Sequence, residues 1–585
     1  MTSTEIDEKP TRVRPRLTAT KLRLRVTLLH LSMTCKAFAE PALDALWMRL
    51  DDLHPFMRLT PKVRELNAEP HLSEQDFDVA VDDDEWELFQ RYARRVRVLH
   101  YHSPHSMSSP YDVVAWTRLS RRAGGAPLFP RLRCLRPVTV IPSIIGLFLE
   151  AALLSPFLRR VSVRIMAEAT QGNSNEPALQ AIKDLQSLMP RLERLTINFE
   201  RNSIQRMSLE PFVPTLCAFK QLRHLALKRE CTLDHRGLAQ LSQLTSLEVL
   251  STNIALPFDR DAPLPPDLDF GAFPALRRVS LRGRAEHLAA LFSGSQMPHL
   301  ESLALQLVRR STGLAPDAAF AASVARILHA VPATLTSLTL TSMRRHAWLL
   351  DLDGPDTREP LVALLAPALE RMRGLRTLAV EFSCLPAVDD AAVAQMLDAW
   401  PALVELRIHG SLRPGRGVGA SGGALEPPLP TLHTLVTVAT RYPKLRSLEL
   451  PQTDVEMAGA LAAEAASLTT HHALQTLVLA PHVDDEKDKD DEDDYWERRR
   501  GKGKKARVDK EQWKFDVALL VDRLFPHLDL PPSTHCDGLK WGAVLEYLVC
   551  MQAGRRHAQL LNTVEPRTVV EMRKTEDLLE VRVGW

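Results

Sequence analysis

From residue 132 to residue 479 one apolar triad keeps returning, clearest in Pro190 to Ile197, PRLERLTI. A leucine is followed three residues later by Leu, Val or Ile and two after that by another, with a polar or basic residue usually just before the last. The last two apolar positions are two apart and share one face of a short strand, while the first enters from the preceding loop. All three then point into one core. Neither the helical period nor plain strand alternation produces that pattern.

Counting by the first leucine gives Leu132, Leu158, Leu192, Leu222, Leu247, Leu276, Leu300, Leu335, Leu375, Leu403, Leu445 and Leu474, spaced 26, 34, 30, 25, 29, 24, 35, 40, 28, 42 and 29 residues apart. Most spacings fall at or a little beyond the roughly 20 to 29 residue unit of a leucine-rich repeat. Two copies are blemished, with Pro137 and Thr252 at the third core position. The fold class expected is an α/β leucine-rich-repeat solenoid, a horseshoe with parallel strands on its concave side. Between the strands the chain supplies helices with a single apolar stripe. Phe320, Val324, Ile327, Leu328 and Val331 form one, Val393, Met396, Leu397 and Trp400 a second, and Leu432, Leu435, Val436 and Ala439 a third; Pro332, Pro401 and Pro443 follow them. Each buried Leu-type side chain contributes on the order of 1.5 to 3 kcal/mol before entropy is subtracted, so one repeat alone is marginal and stacking is obligatory.

A chain of 585 residues, 45% hydrophobic, can bury a large core, and a solenoid that long need not split into globules. A formal charge of +2 does not call for nucleic acid or a membrane surface as partner. The seven cysteines are scattered without a CxxC pair. Only Cys231 and His235 approach zinc-ligand spacing, and two ligands do not make a metal site. No apolar run approaches the ~18 residues that span a bilayer, and no signal-peptide pattern follows the first basic residues. These readings favour a reducing compartment, cytosol or nucleus, with no cofactor.

Organisation along the chain follows composition. Residues 1–24 are polar and basic and read as disordered. In 25–61, VTLLHLSMTCKAFAEPALDALWMRL reads as a helix through Leu28, Leu29 and Leu31, a break near Cys35 to Phe38, and a second helix with Pro41 in its first turn. Residues 62–127 form a spacer and cap, with a helix over Trp86, Phe89, Tyr92 and Ala93 and a strand-like run at Val96, Val98 and Leu99. The solenoid occupies 128–480, a mobile acidic and basic insert 481–512, and a helical cap 513–585, which shields the last repeat. The basic run RRRGKGKK in the insert reads as linker before import signal, and the Ser-Pro pairs of His102 to Asp112 as a flexible loop.

LLHLSMTCKAF followed by EPALDALW is similar to the second half of an F-box as it occurs in fungal F-box proteins with leucine-rich repeats; that family also ends in a WGAVLE-like segment. Its members open the box with an LPxEIL-like helix, whereas upstream of Val26 this chain reads KPTRVRPRLTATKLRLR. The resemblance implies that Leu28, Leu29, Leu31, Cys35, Lys36, Phe38, Leu43, Leu46 and Trp47 face a Skp-type adaptor, itself held by a cullin-based ubiquitin ligase. It implies a substrate-recognition subunit that performs no bond chemistry; the alternatives are a cap on the first repeat and a protein-binding scaffold without ubiquitin machinery.

Positions between the strand leucines are expected on the concave, partner-binding surface. They are Arg194, Thr196, His224, Ala226, Arg278, Ser280, Ser302, Ala304, Ser337, Thr339, Thr377, Ala379, Glu405, Arg407, Ser447 and Glu449, a polar, small mixture without a single charge sign. One catalytic-looking string, Gly417 to Gly422, fits GxGxxG, but Pro427, Pro428 and Pro430 forbid the helix that a dinucleotide site requires next. No P-loop or HExxH string occurs, and an enzyme is not expected.

Overall fold

A computed structural model describes residues 19–51, 54–60, 82–100, 119–140, 155–166, 176–200, 207–229, 231–256, 268, 270–308, 318–343, 360–382, 388–410, 429–455, 457–466, 472–482, 503–530 and 539–563. Outside them lie residues 1–18 of the basic amino terminus, 61–81 of the spacer, the loop from His102 to Asp112, the Gly417 to Gly422 string, and 484–502 of the charged run. Two compact units are present, Met1–Asn253 with Phe270–Ala275, and Ile254–Asp269 with Leu276–Trp585.

The first unit opens with helices α1 (Ala19–Thr34) and α2 (Lys36–Trp47), then β1 (Arg49–Leu50), α3 (His54–Leu59), α4 (Asp83–Ala93) and β2 (Val98–His100). There follow β3 (Cys134–Val140), β4 (Arg160–Met166), α5 (Glu176–Leu188), β5 (Arg194–Glu200), β6 (Met207–Ser208), α6 (Val213–Cys217), β7 (His224–Arg229), β8 (Cys231–Leu233), α7 (His235–Leu241) and β9 (Val249–Ile254). Its ladder runs β1-β2-β3-β4-β5-β7-β9, every pair parallel, while β6 and β8 pair off that path.

The second unit alternates strand and helix: β10 (Arg278–Arg284), α8 (Ala285–Gly294), β11 (Ser302–Val308), α9 (Ala318–Ala330), β12 (Ser337–Met343), α10 (Leu361–Arg371), β13 (Thr377–Phe382), α11 (Asp390–Ala399), β14 (Glu405–His409), α12 (His433–Arg441), β15 (Ser447–Asp454), α13 (Ala458–Ala465) and β16 (Thr476–His482). Strands β10 to β16 pair in sequence order, all parallel. This is the leucine-rich-repeat architecture that the triad demands: parallel neighbours need a crossover, and the striped helices are the crossovers.

All twelve first leucines of the triads are between 0% and 3% exposed. Within each unit every rung after the first begins the same way, with two successive amides donating to one carbonyl of the rung before. Glu193 and Arg194 donate to the Arg159 carbonyl, and Arg223 and His224 to that of Glu193. In the second unit Thr336 and Ser337 donate to Glu301, and Arg376 and Thr377 to Thr336. Side chains repeat the theme as ion pairs, Arg223 with Glu248 at 3.2 Å and Arg277 with Glu301 at 2.6 Å. Aspartates cap the helices between rungs: Asp234 accepts from the Gly237 amide and Asp389 from the Ala392 amide, both at 2.7 Å.

Both blemished copies are absorbed locally. The β3–β4 register shifts between Leu135 and Val138, because Pro137 has no amide to give the ladder. Thr252 is held in the core, 3% exposed. Four boundaries differ from expectation. The ladder starts at Arg49, upstream of the first triad, because β1 and β2 supply two more rungs. Helix α1 begins at Ala19, inside the stretch read as disordered. Pro41 lies inside α2 and not in its first turn, since Cys35 (φ −157°, ψ 160°) alone forms the break and the helix starts at Lys36. Helix α14 (Gly503–Leu524) begins inside the charged insert and packs on α13. It buries Val517, Leu520, Val521 and Leu524 and also packs on α15 (Leu539–Thr563), whose Val544 and Leu548 are buried. The Asp529 amide donates to the Gln475 carbonyl at 2.7 Å, so the cap continues the backbone pattern past the last rung.

Candidate functional site

The nine residues implicated by the F-box resemblance divide into two sets. Leu29 (46% exposed), Leu31 (39%) and Phe38 (54%) stand in solvent with Cys35 and Lys36, beside the equally exposed Val26 and Met33. Leu28, Leu43, Leu46 and Trp47 are half-buried. The Trp47 ring lies 4.4 Å from Tyr92 and 5.3 Å from Phe56, which in turn meets Phe89 and Phe129. Trp47 is therefore a peg between α2 and the cap. Beneath it, the Arg95 side chain is 3% exposed, its guanidinium donating to the Glu40 carboxylate at 2.6 Å and to Asp44. These partners hold its pKa above the ordinary arginine value even though burial opposes the charge.

Of the sixteen residues expected on the binding face only Ala226 is buried, 4% exposed; Arg194, Thr196, His224, Arg278, Ser280, Ser302, Ser337, Thr339, Thr377, Glu405, Arg407, Ser447 and Glu449 all lie on the open side of their strands. Over the full strands the mixture separates by sign. In the first unit a cavity of about 340 Å³ is lined by Arg160, Arg164, Arg194 and Lys228 with Ser162, Thr196, Asn198 and His224, with no carboxylate among the described lining residues. In the second a cavity of about 430 Å³ is lined by Glu381, Glu405 and Glu449 with Arg407, His409 and Thr377. There Arg407 pairs with Glu405, and His409 Nδ1 lies 3.2 Å from Glu449.

Reading two positions per strand from Leu192 onward missed Arg160, Arg164, Asn198, Lys228, Glu381 and His409. One further alternate step along each strand, and one strand earlier, finds them. Among the described residues no group of three His, Cys, Asp or Glu is arranged to hold a metal ion. Nor is any described helix long and apolar enough to cross a membrane. The groups with displaced pKa values serve packing. Burial pushes His472 down while its Nε2 meets the Tyr442 carbonyl at 2.8 Å, and burial pushes Asp522 up against the pull of Arg555, 2.5 Å away.

No protein-family model matches the chain, and no curated protein matches it. Among solved structures it is similar to an internalin from Listeria monocytogenes, with 12% identity, 74% of this chain and 94% of that one covered, and a TM-score of 0.27. A leucine-rich repeat-containing protein, LegL7 from Legionella pneumophila, matches with 13% identity, 60% and 83% coverage and a TM-score of 0.27. The fold assignment rests on the chain's own parallel ladder.

Proposed function

We propose that this protein recruits a protein substrate to a Skp-cullin-F-box ubiquitin ligase, with α1 and α2 engaging a Skp-type adaptor and the open face of the repeats engaging the substrate. The observation that carries the reading is the unpartnered apolar surface of Leu29, Leu31 and Phe38 on a helix pair anchored to the solenoid by Trp47 and Arg95. Large aliphatic and aromatic side chains in solvent at adjoining helices mark a partner site, and the F-box resemblance supplies the adaptor. The strand faces, polar and open, suit protein recognition.

A second reading, a protein-binding scaffold without ubiquitin machinery, is favoured by the inward turn of Trp47, which takes one of the nine adaptor residues into the cap. Co-purification with a Skp-type adaptor separates the two. Complex formation with the wild-type chain, abolished by Leu29→Asp with Phe38→Asp, is the expected result. Both residues are exposed, so folding survives the change. Absence of any complex at about micromolar concentration overturns the ligase reading and leaves the scaffold.

A further inference from the structure

We infer that the first unit's open face is a docking cradle for an extended acidic peptide segment of a partner protein, held between two rows of basic side chains. The inference rests on the reading that this face binds protein. In the register of β4, β5 and β7, Arg160, Arg194 and His224 align in one row across the strands, and Arg164, Asn198 and Lys228 in another four residues on. At the parallel-strand rise the rows stand about 13 Å apart. Between them the aligned residues are Ser162, Thr196 and Ala226, all small, so the floor is low and the rows form raised edges. A cavity of about 340 Å³ fills the space.

Arg160 and Arg194 are aligned on neighbouring strands about 4.8 Å apart, where like charges repel. Elsewhere this chain neutralises such neighbours: arginines one residue before the strands are matched by glutamates on the next rung, Arg159 with Glu193 and Arg223 with Glu248. On the open face Arg160 and Arg194 meet no carboxylate among the described residues of the cavity wall. The alternation that cancels charge at the rung entrances stops where a ligand reaches the sheet, and an anion there relieves the repulsion.

Peptide is favoured over nucleic acid on two grounds. The three strands span only about 10 Å across, a width suited to one extended chain. Binding of single-stranded nucleic acid relies on aromatic platforms for the bases, and no Phe, Tyr or Trp is among the described residues that line the cavity. An extended peptide with carboxylates at positions i and i+4 spans about 13 Å between them, matching the two rows.

The test is fluorescence anisotropy of the full chain with a labelled Gly/Ser peptide bearing aspartates four positions apart. Saturable binding is expected, weakening with added salt and falling at least about tenfold in R160S/R194S, with Arg373→Ser, exposed in the turn ahead of β13 and off the open face, as a neutral control. Circular dichroism of the double variant should match the wild type, since both side chains are exposed. Undiminished binding by R160S/R194S, no saturable binding by the wild type, equal binding of a peptide with adjacent aspartates, or tighter binding of a single-stranded oligonucleotide of equal charge each overturns the inference. The assay contains no adaptor, so its failure is separate from failure of the ligase reading.

Discussion

Arg95 joins α2 to the cap through an ion pair of unequal burial, and the inequality predicts which side is sensitive. The guanidinium is 3% exposed, whereas Glu40 is 71% and Asp44 55% exposed. Removing both carboxylates in E40A/D44A strands a positive charge in the protein, with the Glu40 carbonyl at 3.4 Å its one remaining acceptor among the described residues and Nε already without one. Stranding a buried charge costs about 3 to 5 kcal/mol; the vacated space opens to water, so the lower figure applies. Alanine is itself a good helix former and adds no penalty of its own to α2. Removing the other partner in Arg95→Met fills the buried site with apolar volume and returns two carboxylates to water, a change of at most about 1 kcal/mol. Native-state hydrogen exchange of the α2 and α4 amides reads both, a 3 kcal/mol loss appearing as roughly a hundredfold drop in protection. If Arg95→Met lowers protection as much as E40A/D44A does, burial asymmetry is the wrong account of this contact.

Two further outcomes follow from the ladder. Leu338→Ala, at a fully buried rung position, should destabilise the second unit by about 2 to 5 kcal/mol, whereas Ser337→Ala on the open side of the same strand should stay within about 0.5 kcal/mol, both read by urea unfolding. Burial and a 2.5 Å hydrogen bond donated to Asp398 push the Tyr442 phenol from 10.0 up to about 12. Between those values the unfolded chain releases a proton that the folded chain keeps, so stability present below pH 10 is lost as pH rises through the window. Tyr442→Phe should remove that segment of the pH–stability curve and a late tyrosinate step in near-ultraviolet absorbance.

The leucine triads alone dictate the architecture, because side-chain burial in a strand depends on parity and on spacing of the chain along itself. Leu338 and Leu340 are two apart, Leu335 precedes them by three, and that local rule suffices to put all three inside. The stripe over Phe320 to Val331 became α9 and the Trp86 to Ala93 run became α4 for the same reason. Pro137 was visible as a defect, and its bulge is the expected response of a residue with no amide proton.

What parity leaves open is which rungs stand side by side and how distant segments meet. Arg160 and Arg194 are 34 residues apart in the chain, and only the register of β4 against β5 makes them neighbours. Arg95 meets Asp44 across 51 residues, and Trp47 reaches Tyr92 on α4. The amphipathic pattern of residues 26–50 shows that an apolar stripe exists. Only its packing shows that Leu29 and Phe38 keep facing water while Trp47 goes in. Repeat architecture is local periodicity written along a chain, whereas charge clustering and the division of an apolar surface are set by long-range pairing, on which periodicity is silent.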